Sequence, residues 1–151
     1  MTLPPYPVLR LKPKADARKI RHGAPWVFDN ELVLDRRSKN IPAGAIALLE
    51  DNDHAPLGLV GVNTGSRITG RMLDRDVTAQ IDVAWFQARL TRALALRERL
   101  YDSPFYRLVH AESDGLPGVV IDRFGDTAVI QANAAWADVH IDALTAALVE
   151  Q

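Results

Sequence analysis

"ESDGLPGVVIDRFGD", residues 112–126, is the densest cluster of signals in this 151-residue chain. Four carboxylates, Glu112, Asp114, Asp122 and Asp126, crowd around two glycine turns and a short apolar run. Three readings compete: an acid/base site, a metal cage, or the punctuation of a β-hairpin. Asp114-Gly115 and Gly125-Asp126 are turn dipeptides, and Pro117-Gly118 reinforces the first. Val119, Val120 and Ile121 supply a β-branched strand between the turns. Paired catalytic carboxylates need environments that pull their pKa values apart. Here each acid lies at or beside a turn, where solvent leaves it ordinary. A calcium loop needs acids at alternate positions with a closing glutamate, and that spacing is missing. The hairpin reading comes first, acid/base work second and metal binding last.

Working outward, "YRLVHAES" before the first turn and "TAVIQAN" after the second read as strands, which completes an antiparallel three-stranded meander. "DVAWFQARLTRALALRERLYD" precedes it as a long helix. Asp82 is its N-cap, and Val83, Phe86, Leu90, Ala93, Leu94 and Leu100 fill one arc. Arg97 falls inside that arc, which suggests a snorkelling side chain at a domain edge. Trp85 falls off the arc, either against another domain or in solvent. "AAWADVHIDALTAALVEQ" closes the chain as a helix with Ala137, Ile141, Leu144 and Leu148 in a buried stripe. That pattern still runs at Gln151, without a stop signal.

The first half differs in texture. "VLRLK", residues 8–12, alternates like a half-buried strand. Pro13 opens a short helix, "KADARKIRHGA", with Lys14, Arg18 and Arg21 on one face and His22 at its edge; Gly23 and Pro25 stop it. "WVFDNELVLD" continues as an extended segment. "AGAIALLED", "APLGLVGVN" and "SRITGRMLD" read as strands separated by turn formers. Many short strands with one short helix predict a compact β-barrel-like domain over residues 1–76. Residues 77–151 then begin an α/β domain: helix, meander, helix. The expected class is α+β.

Composition narrows the chemistry. There is no cysteine, so disulfides, thiolate zinc sites and cysteine nucleophiles are excluded. No stretch approaches the ~18 apolar residues of a membrane span, and the start lacks the layout of a secretory signal; a cytoplasmic protein without membrane association is expected. Net charge is −1, yet residues 1–40 hold nine basic side chains against four acidic ones, and the remainder is correspondingly acidic. A basic end on an acidic chain points to a polyanionic partner met by one region.

Three segments carry a resemblance. "YRLVHAESDGLPGVVIDRFGD" resembles the opening of the central domain of the bacterial S-adenosylmethionine-dependent methyltransferases that modify C5 of a cytosine in 23S ribosomal RNA. "KIRHGAPWVFDNEL" is similar to that family's basic helix followed by a Pro-Trp-Val-Phe motif. "SRITGRMLD" is similar to the strand that closes its N-terminal PUA domain. The three stand in the family's order from residue 8 to about residue 130. The resemblance implies a PUA-like pseudo-barrel in residues 1–76, ribosomal RNA as partner, and S-adenosylmethionine as cofactor of the whole protein. It also implies a C-terminal Rossmann-like methyltransferase domain that this sequence does not match. Pyrimidine C5 is a poor nucleophile, and the family activates it with a cysteine thiolate. With no cysteine and no cofactor loop, since Gly58, Gly61 and Gly65 lead into no helix, this chain reads as a fragment of a longer methyltransferase or a truncated gene product. It is expected to be inert alone, with no catalytic, cofactor-binding or metal residues of its own.

RNA recognition needs cations placed to meet phosphates. One candidate set is Lys14, Arg18 and Arg21 with Lys19 and His22 flanking. The other is the strand in which Arg67, Thr69, Arg71, Leu73 and Arg75 project to one side by alternation. Singly, each cation reads as an ordinary solvated side chain; taken together with the PUA resemblance, the set reads as an RNA-binding surface. His22 alone reads as a helix-end cap, and Trp26 as core rather than a stacking platform. Two rivals remain. One is an interdomain or dimerisation scaffold, with a homodimer as the assembly. The other is a small hydrolase built on His110, Glu112 and Asp114.

Overall fold

The computed structural model describes residues 5–151. It is a mixed α+β chain with two compact units, Met1–Ala79 and Gln80–Gln151.

In the first unit, strand β1 (Val8–Arg10) lies parallel to β3 (Ile46–Glu50). Antiparallel pairing then adds β4 (Pro56–Val62), β5 (Ile68–Asp74) and β2 (Trp26–Phe28), giving a curled five-stranded sheet of order β1-β3-β4-β5-β2. Three bulges bend it. The ladder skips Leu57 between β3 and β4, Leu73 between β4 and β5, and Thr69 between β5 and β2, and each extra residue increases the local twist. Leu9, Leu11, Val27, Leu49, Val60 and Val62 point inward from the strands and bury fully. They meet Ile20 of helix α1 (Ala17–Arg21).

Local chemistry shortens two predicted segments. The helix does not begin at Lys14. The Asp16 carboxylate accepts the Arg18 N–H at 3.0 Å and sets the first turn at Ala17, so Lys14 lies in the preceding turn. The extended segment from Trp26 also breaks after three residues. A 3-10 turn spans Asp29–Glu31, an isolated bridge joins Leu32 to Leu11, and a second short helix follows, α2 (Arg36–Lys39). Asp35 and Ser38 cap α2 reciprocally, each side chain taking the other's backbone N–H at 2.9 Å.

The second unit packs α3 (Val83–Leu100) over an antiparallel sheet of β6 (Phe105–His110), β7 (Val119–Phe124) and β8 (Thr127–Ala132). Two helices follow, α4 (Ala135–Val139) and α5 (Ile141–Val149). They replace the single closing helix that periodicity suggests. The His140 ring Nδ1 lies 2.7 Å from the Trp136 carbonyl, and the chain breaks there; a side chain inserted into the helical ladder is a recognised cause of a kink. The strand "YRLVHAES" likewise stops at His110, because Ala111–Asp114 wind into a 3-10 turn.

Trp85 is not off the packed face. It is 7% exposed, edge-on to Phe86 and Trp136, while Phe86 stacks on Trp136 with 5.9 Å between centroids. The Trp136 indole donates to the Pro117 carbonyl at 2.8 Å, so the polar end of the largest core side chain is satisfied. Leu100, assigned to the arc, is instead 63% exposed at the helix end.

Three carboxylates of the opening stretch are held by partners, whereas Asp126 is exposed beside its turn. Arg97 does not snorkel: its Nη1 and Nη2 grip the two oxygens of Asp114 at 2.8 and 2.7 Å, with side-chain exposures of 12% and 8%. Asp114 also accepts the His110 backbone N–H at 2.6 Å, and Glu112 accepts that of Gly118 at 3.1 Å. Asp122 pairs with Arg107, whose hydrogen bond holds its carboxyl below the usual carboxylate range. These acids fasten turns to strands. With both its oxygens engaged, Asp114 is unsuited to the acid/base role in the hydrolase reading.

Removing one member of a buried ion pair strands the other. Asp114→Ala is therefore expected to cost about 3–5 kcal/mol, measured by denaturant unfolding of the full chain with the fluorescence of buried Trp85 and Trp136 as the signal. The double variant Arg97→Met/Asp114→Leu should recover most of that stability.

Candidate nucleic-acid interface

Part of the basic set singled out in the sequence comes together where α1 meets the end of β5. Gly23, at φ +116, lets the chain leave α1 toward β2. His22 is the C-cap, its N–H bonded to the Arg18 carbonyl at 2.9 Å, and its side chain is exposed. Arg75 reaches the same place from the sheet. Its Nη1 donates to the carbonyls of Ile20 at 2.7 Å and Arg21 at 3.1 Å, joining the Gly23 N–H on the first and supplying a donor to the second at the helix end.

The seven lysines and arginines of that set divide by what they touch. Lys19 forms an ion pair with Glu31. Arg21 pairs with Asp51 at 2.5 Å. Asp51 also accepts the backbone N–H groups of Asp53 at 2.8 Å and Ala55 at 2.9 Å. The Ala55 hydrogen bond, supported by Arg21 and opposed by burial, holds the Asp51 carboxyl below the usual carboxylate range. Arg71 lies over Trp26, its guanidinium carbon 5.7 Å from the ring centroid. Arg18 reaches outward, 85% exposed and only loosely paired with Asp16 at 3.9 Å. The side chains of Lys14 and Arg67 are exposed and form no hydrogen bond or ion pair with the described residues.

The arginines of β5 are not one uninterrupted track. Its two bulges fall at Thr69 and Leu73, and both side chains turn into the core, 0% and 4% exposed. Arg67, Arg71 and Arg75 therefore serve three separate places. Trp26, read as core, is 37% exposed, as is Phe28, while Val27 between them is fully buried. Sequence reasoning missed this pair because "WVF" reads as a continuous apolar run; the out–in–out placement appears only once β2 joins the sheet with Val27 facing the core.

The glycines form no cofactor cradle. Gly58 and Gly61 lie within β4, and Gly65 lies in the turn leading to β5 rather than to a helix. A Cβ on Gly58 would stand 2.6 Å from the Asp74 carbonyl oxygen, so this glycine serves strand packing. The described residues thus do not fit S-adenosylmethionine. No group of three His, Asp or Glu among them could hold a metal ion, and no helix among them is long and apolar enough to cross a membrane.

Asp51 gives the interface a pH signature. Its folded pKa lies below the ordinary 3.8, so its contribution is fully present above that value and is lost as pH falls through the folded value. Asp51→Asn is expected to lower stability at neutral pH and to flatten the decline below about pH 4, leaving the parts due to Asp35, lowered by its Ser38 hydrogen bonds, and to Asp122, lowered by Arg107. Thermal unfolding of the full chain followed by circular dichroism checks this; an acid-side profile unchanged from wild type excludes it.

Several known proteins are similar to this chain. Residues 9–75 match a PUA-like domain. The chain is 35% identical to a ribosomal RNA large subunit methyltransferase of Deinococcus radiodurans over 139 residues, 86% of this chain and 34% of that protein. It is 36% identical to ribosomal RNA large subunit methyltransferase I of Salmonella typhi over 152 aligned positions, 97% of this chain and 36% of that protein. Among solved structures, a Streptococcus mutans protein assigned as a SAM-dependent methyltransferase superposes with TM-score 0.77 at 18% identity, over 95% of this chain and 37% of that one. A second solved chain, assigned as a methyltransferase and complexed with SAH, matches to the same extent. The chain thus spans about a third of the length of the curated relatives it matches. Residues 9–75 thus match a PUA-like domain, and over most of its length the chain is similar in sequence to about a third of the length of ribosomal RNA large subunit methyltransferases.

Proposed function

We propose that this chain is the N-terminal RNA-recognition region of a cytoplasmic, S-adenosylmethionine-dependent methyltransferase that modifies cytosine C5 in large-subunit ribosomal RNA. The observation that carries the proposal is the PUA-like match over residues 9–75 in a chain with Lys14, Arg18 and Arg67 exposed on that same unit. Phosphate contacts from such cations fix register and orientation on the RNA without reading bases. Lys19, Arg21 and Arg75 hold the cluster in shape through Glu31, Asp51 and the α1 carbonyls. Transfer to C5 needs a bound methyl donor and a nucleophile to activate the ring. This chain has no cysteine, so both are assigned to a C-terminal methyltransferase domain, and the chain by itself positions the substrate.

A second reading, a dimerisation scaffold for the same enzyme, draws on the second unit. Phe105 and Phe124 face each other across β6 and β7 and are 63% and 54% exposed, an apolar surface of the kind that marks protein contacts.

One experiment separates the two. The double variant Lys14→Glu/Arg18→Glu is expected to weaken binding of a single-stranded ribosomal RNA fragment. It should also reduce the slope of log affinity against log salt by about 0.7 for each phosphate that the protein no longer neutralises, read by fluorescence anisotropy over a salt series. Wild-type affinity that stays flat with salt, or a variant that binds normally, removes the RNA reading. A concentration-dependent mass in sedimentation that Phe105→Ser abolishes would then favour the scaffold.

A further inference from the structure

Trp26 and Phe28 stand on the outer face of the edge strand β2, edge to face with 6.4 Å between ring centroids. The alternation that buries Val27 at 0% leaves both rings 37% exposed. Arg71 lies directly across from Trp26 in the ladder and carries its guanidinium over the indole. At the other end of the strand, the Arg67 carbonyl accepts the Asp29 N–H at 2.9 Å, which places the exposed Arg67 beside the residue that follows Phe28. The nearby acids are already engaged. Glu31 pairs with Lys19 and accepts the Phe28 N–H, and the Asp29 carboxylate accepts the Asn30 N–H at 2.7 Å. Two exposed rings thus lie between two arginines, on a surface where the Asp29 and Glu31 carboxylates each already accept hydrogen bonds.

We propose that Trp26 and Phe28 form a stacking platform for unpaired RNA bases, with Arg71 and Arg67 meeting the flanking phosphates. The proposal rests on the RNA-recognition reading of the PUA-like unit. Stacking requires a base whose face is open, so the ligand is single-stranded RNA or a loop, and a duplex is a poor substitute. Every base has a π-face, so the platform tolerates sequence, while the arginines add charge complementarity to the backbone. A protein partner would be served by the rings alone; cations at both ends of the pair favour a polyanion that also carries planar rings.

The tryptophan distribution supplies the test. Trp85 and Trp136 are 7% and 1% exposed in the other unit, so Trp26 is the one indole a base can reach. Titrating the full chain with a mixed-sequence single-stranded RNA oligonucleotide should quench the tryptophan fluorescence, and the same sequence as a duplex should quench it far less. Trp26→Phe should abolish the quench yet bind nearly as well, since a ring remains. Trp26→Ala and Phe28→Ala should each lower affinity by roughly 5- to 150-fold and leave the salt slope unchanged, because every cation stays in place. Binding without quench, or Trp26→Ala binding at wild-type strength with an intact circular dichroism spectrum, overturns the platform while leaving RNA recognition standing. No binding of the wild-type chain to any RNA overturns both. Self-association that Trp26→Ala abolishes assigns the rings to a second copy and overturns the platform.

Discussion

The guanidinium of Arg75 lies on the last carbonyls of α1, and the basic surface of the first unit is organised around that contact. A helix of five residues is too short to hold itself together in water. What fixes α1 is a set of outside attachments: the Asp16 cap at its start, Ile20 sunk in the core, Arg21 on Asp51, and Arg75 across its end. These attachments decide the orientation of Arg18 and His22 and the exit of the chain through Gly23 toward Trp26.

The second unit solves a different problem. Its three-stranded sheet has an apolar face that needs cover. That cover comes from α3 against β6 and α4 against β8, with Phe86 of α3 stacked on Trp136 of α4 and α5 packed on α3. The Arg97–Asp114 pair then ties the helix to the 3-10 turn after β6. A buried ion pair contributes modestly to net stability against an apolar substitute, yet it is costly to break from one side. It therefore fixes where the turn sits more than how strongly the unit folds. The same logic governs Gly118, whose Cβ would stand 2.6 Å from that of Ala134: close approach, at φ +74, is what the glycine permits.

Much of the architecture was legible in the chain itself. Turn dipeptides such as Asp114-Gly115 and Gly125-Asp126 separate β-branched runs so sharply that strands β3 to β5 and β7 could be placed without coordinates, because turn chemistry and period-two burial are local properties. Asp82 announced α3 for the same reason, since a cap is a contact within one turn. The absence of cysteine excluded thiolate chemistry outright, and the basic first forty residues pointed to a polyanion.

Only tertiary structure decided which of these side chains is available. Trp26 and Phe28 are exposed because β2 joins the sheet with Val27 facing the core, and which face of a strand meets the core is a long-range property that this short apolar run does not encode. Arg21 and Lys19 are engaged because Asp51 and Glu31, distant in sequence, fold against them. Thr69 and Leu73 leave the arginine face because bulges form where two neighbouring strands disagree in register. Arg97 and Asp114 look like a misfit and a turn acid until folding brings them together in one buried pair. Local periodicity determines which elements form, whereas partners far along the chain determine what each polar group is free to do.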